Sequence, residues 1–192
     1  MIGIIDIGIS NFGSLKNSLD LLKVKNFSIS TPQDFEKAAK IIFPGVGNFG
    51  KAVEKLEENG FKKEIIKQIS SEKEFLGICL GMQLLFENSQ EAQGAKGIGA
   101  LKGNVVKFEK EKIPQIGWNF VKSDYELLKS RDYYFVNSYY CVPQDAEIVI
   151  GRTFYGKEFA SAIKKENLLA VQFHPEKSGK DGLQFLKRWC NC

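Results

Sequence analysis

Residues that build metal sites and disulfide frameworks are scarce. The chain has one histidine and four cysteines, Cys79, Cys141, Cys190 and Cys192. Their spacing fits neither a disulfide framework nor a zinc cluster, and a lone imidazole cannot complete a usual Cys/His site. The terminal Cys-Asn-Cys offers two ligands on what reads as a frayed tail, a poor metal site. No metal or cofactor is expected. Long apolar runs are also missing: none approaches the roughly 18 residues of a membrane span. An excess of one charge is missing too. The 27 basic and 23 acidic residues leave a net charge of +4, too small and too dispersed to predict nucleic-acid binding. Lysines between Lys51 and Lys73 alternate with glutamates, as on a solvated helical face. Met1 leads directly into Ile2-Gly3-Ile4-Ile5-Asp6, which reads as a buried strand without a basic leader. No signal peptide is therefore expected, and the cytoplasm is the expected compartment.

The composition is otherwise that of a folded globular chain, with 43% hydrophobic and 26% charged residues, which argues against disorder. There is no repeat, low-complexity tract or Ser/Gly-rich linker, so one domain over residues 1–192 is expected. In the first half, short apolar runs alternate with helical patterns. Ile2–Asp6, Lys40–Phe43 and Phe75–Ile78 read as strands. Ser14–Lys23 reads as a helix, and one or two amphipathic helices lie between Ala52 and Ile69, interrupted near Gly60. Met82–Glu87 is helix-like. Such alternation predicts a mostly parallel sheet covered on both faces. The second half carries short strands at Val105–Phe108, Tyr133–Val136, Ile148–Ile150, Phe159–Ile163 and Leu168–Phe173. They suggest an antiparallel or mixed extension of the same sheet. Asp181–Trp189 reads as a closing helix.

The sharpest feature is Gly77-Ile78-Cys79-Leu80-Gly81-Met82-Gln83, where an apolar strand meets a helix. A nucleophile on a tight strand-to-helix turn needs small neighbours, and glycines two residues before and after Cys79 supply that room. Unpaired N–H groups at the start of the helix favour a thiolate. The rival reading is a buried structural cysteine between two packing glycines. A thiolate mechanism also needs a proton carrier. His174, in Gln172-Phe173-His174-Pro175-Glu176, is the only imidazole available and follows an apolar strand. Glu176 can orient the ring and stabilise its cation; a solvated loop histidine is the alternative. A third segment, Phe43-Pro44-Gly45-Val46-Gly47-Asn48-Phe49, places glycines after a strand. There, backbone N–H groups can turn toward a ligand or an oxyanion. It lacks the Lys-Ser/Thr of a phosphate loop.

Taken in order, these segments resemble class I glutamine amidotransferases of the Cys-His-Glu type. The resemblance extends to the family of glutaminase subunits of imidazole glycerol phosphate synthases. Asp6-Ile7-Gly8 with Asn11 and Ser14, Pro44–Gly47, Gly77–Phe86, Pro114–Asn119 and His174–Ser178 are similar to motifs of that family along nearly the whole chain. The resemblance implies a flavodoxin-like, mostly parallel α/β sheet with an added mixed or antiparallel β extension. It implies L-glutamine as substrate, attacked by Cys79 with His174 and Glu176 completing the triad. It further implies oxyanion donors near Val46, Gly47 and Leu80, and glutamine binding by Gln83 and Glu91. The implied partner is a (β/α)₈-barrel cyclase in a heterodimer, docked through Asn11, Trp118 and Lys177. Ammonia passes to that barrel, which makes imidazole glycerol phosphate and an aminoimidazole carboxamide ribotide in histidine biosynthesis.

One residue departs from the pattern. Tyr133–Tyr140 resembles a family strand that commonly carries histidine where this chain has Asn137. Asparagine keeps hydrogen-bonding capacity but cannot carry a proton. The glutaminase chemistry is expected to survive, with coupling to the partner altered. That keeps open an ammonia-supplying paralogue serving nucleotide-sugar amidation, besides an inert module of the same fold.

Overall fold

The computed structural model describes residues 1–8, 12–109 and 111–192. In chain order the first half contains β1 (Ile2–Ile5), α1 (Phe12–Leu21), β2 (Asn26–Ile29), a 3₁₀ turn at Pro32–Lys37, β3 (Lys40–Gly45), α2 (Phe49–Glu58), α3 (Phe61–Ser70), β4 (Phe75–Cys79) and α4 (Leu80–Leu84). The second half contains β5 (Asn88–Ser89), β6 (Gly103–Lys107), β7 (Gln115–Val121), β8 (Arg131–Asn137), β9 (Tyr139–Pro143), β10 (Val149–Tyr155), β11 (Lys157–Lys165), β12 (Leu168–Val171), a 3₁₀ turn at Pro175–Lys177 and α5 (Gly179–Asn191).

Five strands run parallel in the order β2-β1-β3-β4-β12, the flavodoxin-like order. Side chains alternate across this sheet between two cores. Ile41, Phe43 and Phe75 pack with Phe49, Leu56, Phe61 and Ile65 of α2 and α3. Ile4, Ile42, Leu76 and Ile78 pack with Leu15 and Leu19 of α1 and with Phe185 and Trp189 of α5. Each such fully buried side chain contributes roughly 1.5–3 kcal/mol, which is why the central strands read as unbroken apolar runs. Beyond β12 the same sheet continues antiparallel through β11, β9 and β6, with β10 on β11 and β5 at the far edge. No helix among the described residues is long and apolar enough to cross a membrane.

Four expectations need correction. First, the strand expected at Tyr133–Val136, β8, does not join the main sheet but pairs with β7 in a separate two-stranded sheet. Second, β12 belongs to the parallel sheet and only borders the extension. Third, α4 is a short helix over Leu80–Leu84 and does not reach Glu87. The carbonyls at its end are taken by loop N–H groups: Ile98 N–H donates to Leu84 O, and Leu101 N–H to the O of the capping Leu85, at 2.7 and 3.0 Å. Fourth, the C-terminal tail is not frayed. Helix α5 runs to Asn191, and the Lys40 Nζ donates to Trp189 O at 3.0 Å.

Candidate active site

Parallel pairing brings the three sequence-predicted segments to one edge of the sheet. Gly45 lies opposite Cys79 in the β3–β4 register, and Val171 lies opposite Ile78 in the β12–β4 register. The segments that follow β3, β4 and β12 therefore leave the sheet side by side at its carboxyl end, where open α/β sheets bind ligands. A cavity of about 540 Å³ opens there, lined among others by Val46, Gly47, Cys79, Leu80, Gln83, Glu91, His174 and Lys177.

Cys79 has φ 54° and ψ −111°, a conformation that costs a non-glycine residue energy and persists only when the surroundings impose it. The flanking glycines show how they do so. A Cβ on Gly81 would run into the Phe43 carbonyl. A Cβ on Gly77 would sit 3.0 Å from Leu85 and 3.2 Å from Ala170, and one on Gly45 would sit 2.9 Å from both the Gly81 nitrogen and Leu80. Bare backbone at these three positions lets α4 start directly against β3. With α4 so short, the local N–H groups of the turn, and not a long helix dipole, are what can favour a thiolate. Cys141, by contrast, is 1% exposed on β9, and burial pushes its thiol well up. It has the environment of an inert thiol, while Cys79 opens on the cavity.

His174 is 2% exposed. Its Nδ1 lies 2.8 Å from Glu176 Oε1, and a carboxylate can only accept, so Nδ1 carries the proton and Nε2 is left for the sulfur side. Burial works against the imidazolium, but the neighbouring Cys79 sulfur and then Glu176 outweigh it, and the His174 pKa is raised. A protonated His174 can deliver a proton to a leaving group. Ser178 fixes the loop: its hydroxyl donates to His174 O at 2.6 Å and accepts from Tyr134 N–H at 2.9 Å.

The remaining expected residues fall in different places. Gln83 is 5% exposed, and its Nε2 donates to Tyr139 O at 3.1 Å and to Gln172 Oε1 at 3.0 Å. Both its N–H groups are thus engaged inside the protein, leaving only its carbonyl for a ligand. Glu91 Oε2 accepts the Phe49 N–H at the start of α2 at 2.7 Å, leaving Oε1 for a cation. Lys177 is exposed at the cavity rim. Trp118 is 56% exposed on β7, away from the core role a tryptophan usually takes. Asn11 lies outside the described residues. Asn137 also lines the cavity, with Nδ2 donating to Tyr139 O at 2.9 Å. Sequence reasoning gave no role to Gln172, which is 0% exposed and whose Nε2 lies 3.6 Å from the Cys79 sulfur. The only signal was a polar residue between an apolar strand and the histidine.

This arrangement can do acyl transfer through a thiol, and a family model for glutamine amidotransferase class-I matches residues 3–190. The chain is 48% identical to the imidazole glycerol phosphate synthase subunit HisH of Pyrococcus furiosus, covering 98% of this chain and 97% of that protein. It is 46% identical to the subunit of the same name from Methanocaldococcus jannaschii, covering 98% of both. A solved glutamine amidotransferase of 18% identity superimposes with a TM-score of 0.80 over 100% of this chain and 99% of the other, which supports the fold. The chain therefore belongs to the class I glutamine amidotransferases, in the branch of these HisH subunits.

Proposed function

We propose that residues 1–192 act as one glutaminase unit, which hydrolyses L-glutamine at Cys79 and passes the ammonia to a (β/α)₈-barrel cyclase subunit in a heterodimer. The product of the pair is imidazole glycerol phosphate, with an aminoimidazole carboxamide ribotide, in histidine biosynthesis. The observation that carries this reading is the strained Cys79 turn sharing one cavity with His174, whose ring is bonded to Glu176. In the reaction, the Cys79 thiolate attacks the side-chain carbonyl carbon of glutamine. The carbonyl oxygen becomes an oxyanion, held by backbone N–H groups near Val46–Gly47 and Leu80, each such donor being worth roughly 10²–10³ in rate. His174 gives its proton to the amide nitrogen, the C–N bond breaks, ammonia leaves and a γ-glutamyl thioester remains. Water then attacks the thioester and yields its proton to His174, releasing glutamate and the thiolate. Gln83 and Glu91 hold the amino-acid end, with the free Glu91 oxygen suited to the ammonium group.

The docking face follows from β7. Ile116, Trp118 and Phe120 are 63%, 56% and 50% exposed and alternate along one side of the strand, an apolar stripe of the kind that marks an interaction surface. Lys177 at the cavity rim and Asn11 complete the proposed contact. Measuring glutamate release by the chain alone, with the cyclase subunit from the same source, and with that subunit plus its acceptor substrate tests the assignment. The expected result is a low rate alone that rises in the complex. A full rate in the isolated chain contradicts the coupling, and a response only to a sugar-amidation synthase, the partner that Asn137 keeps in view, overturns the histidine-pathway reading. Trp118→Ala is expected to weaken the complex about 30-fold, read by titration calorimetry, with the melting temperature unchanged.

A further inference from the structure

Three amide groups form a polarised chain behind the nucleophile. The Tyr139 carbonyl can only accept, so the Gln83 amide must present its nitrogen to it, at 3.1 Å. The second N–H of that nitrogen reaches Gln172 Oε1 at 3.0 Å. Gln172 must therefore turn its own nitrogen the other way, where the Cys79 sulfur lies at 3.6 Å. Flipping the Gln172 amide would set two N–H groups against each other and an oxygen against the sulfur. The orientation is thus fixed by chemistry from Tyr139 onward. Position is fixed as well. Gln172 follows Val171, which pairs with Ile78, its backbone N–H donates to Ser161 O at 2.9 Å, and its side chain is fully buried.

We propose that Gln172 is a further catalytic residue of the glutaminase, donating a hydrogen bond to the Cys79 sulfur that stabilises the thiolate and holds it for attack. A donor aimed at a buried anion counts for more than one exposed to water. It also acts selectively along the reaction. The bond is strong to a thiolate and weak to the neutral thioester sulfur, so it favours the thiolate both before attack and as the group expelled when water resolves the thioester. Because Gln83 lines the cavity and bonds to Gln172, occupancy of the cavity is linked to the sulfur through this chain. The inference rests on the glutaminase reading, yet its test needs no glutamine, so the two can fail separately.

The test is the rate of Cys79 alkylation by iodoacetamide from neutral to strongly alkaline pH, read at the Cys79 peptide by mass spectrometry on the full-length chain. Gln172→Met keeps the shape and removes the donor. Gln172→Glu keeps the shape and sets an oxygen against the sulfur. At neutral pH the Met variant is expected to react about 10-fold more slowly than wild type, and the Glu variant more slowly still. The difference should close at strongly alkaline pH, where thiols in general are ionised. Alkylation at the wild-type rate in both variants overturns the proposal. So does an equal loss at every pH, which would mark Gln172 as a packing residue that only controls access. If the Met variant melts too low to assay, the Glu variant, which retains the acceptor for Gln83, decides by the same comparison.

Discussion

Cys79→Ala will lower glutamate release at least about 10⁴-fold while leaving the fold and the docking stripe intact. The size follows from triads acting as a unit, where loss of the nucleophile alone removes nearly all the covalent route. No other thiol can substitute. Cys141 is sealed in the core with its thiol pushed up by burial. Cys190, its thiol pushed up to about 11 by burial, lies in α5 beside a groove formed with Met1 and Lys40, and Cys192 follows the end of that helix. Alanine also fits the space, since it deletes one atom from a residue only 6% exposed. The variant should therefore still bind the cyclase with wild-type affinity, measured by calorimetry. Loss of binding together with loss of activity would mean that the substitution had disturbed the turn, and retained activity would exclude Cys79 as the nucleophile.

Gly81→Ala is expected to destabilise the protein by about 3 kcal/mol and to abolish glutaminase activity. The added methyl would meet the Phe43 carbonyl, whose carbon lies 2.9 Å from the ideal Cβ position. Phe43 is in β3, a central strand bonded on both sides, so α4 must move instead of the strand. Moving α4 moves Leu80 and with it one wall of the proposed oxyanion hole. For a chain of this size the melting temperature should fall by roughly 6–12 °C. Gly13→Ala is the control. Its Cβ would meet nothing within 4 Å, and it lies in the first turn of α1. That variant should melt at the wild-type temperature or slightly above, because alanine is the better helix former by roughly 0.5–1 kcal/mol. Equal melting of the Gly81→Ala and wild-type proteins would show that α4 can leave β3 without cost.

The contrast between these glycines marks what the sequence made legible. Gly77 and Gly81 around Cys79 announced a crowded strand-to-helix turn, and the structure supplies the crowding atoms. The unbroken apolar runs of β1, β3 and β4 announced a sheet buried on both faces. The strands that escaped reading have other physics. β2 is an edge strand whose residues are mostly half buried, so its apolar signal is weak. β7 reverses the usual rule, exposing Ile116, Trp118 and Phe120 while burying Gln115. A search for buried alternation passes over it. The stop of α4 at Leu84 depends on loop N–H groups more than ten residues downstream. The roles of Gln172, Ser178 and the Glu91 contact with Phe49 depend on register and on distant loops. Local spacing carries no trace of such contacts, whereas Cys79 stood out by its flanking glycines and His174 as the only histidine.

The central claim is that glutamine is opened by Cys79. The most direct measurement is acid quenching of the chain, with its cyclase, during turnover of L-glutamine, followed by mass spectrometry of its peptides. A mass increase equal to one γ-glutamyl group, confined to the peptide carrying Cys79 and absent from Cys79→Ala, is the predicted result. Glutamate production without any such adduct on Cys79, or with the adduct on another residue, would contradict it.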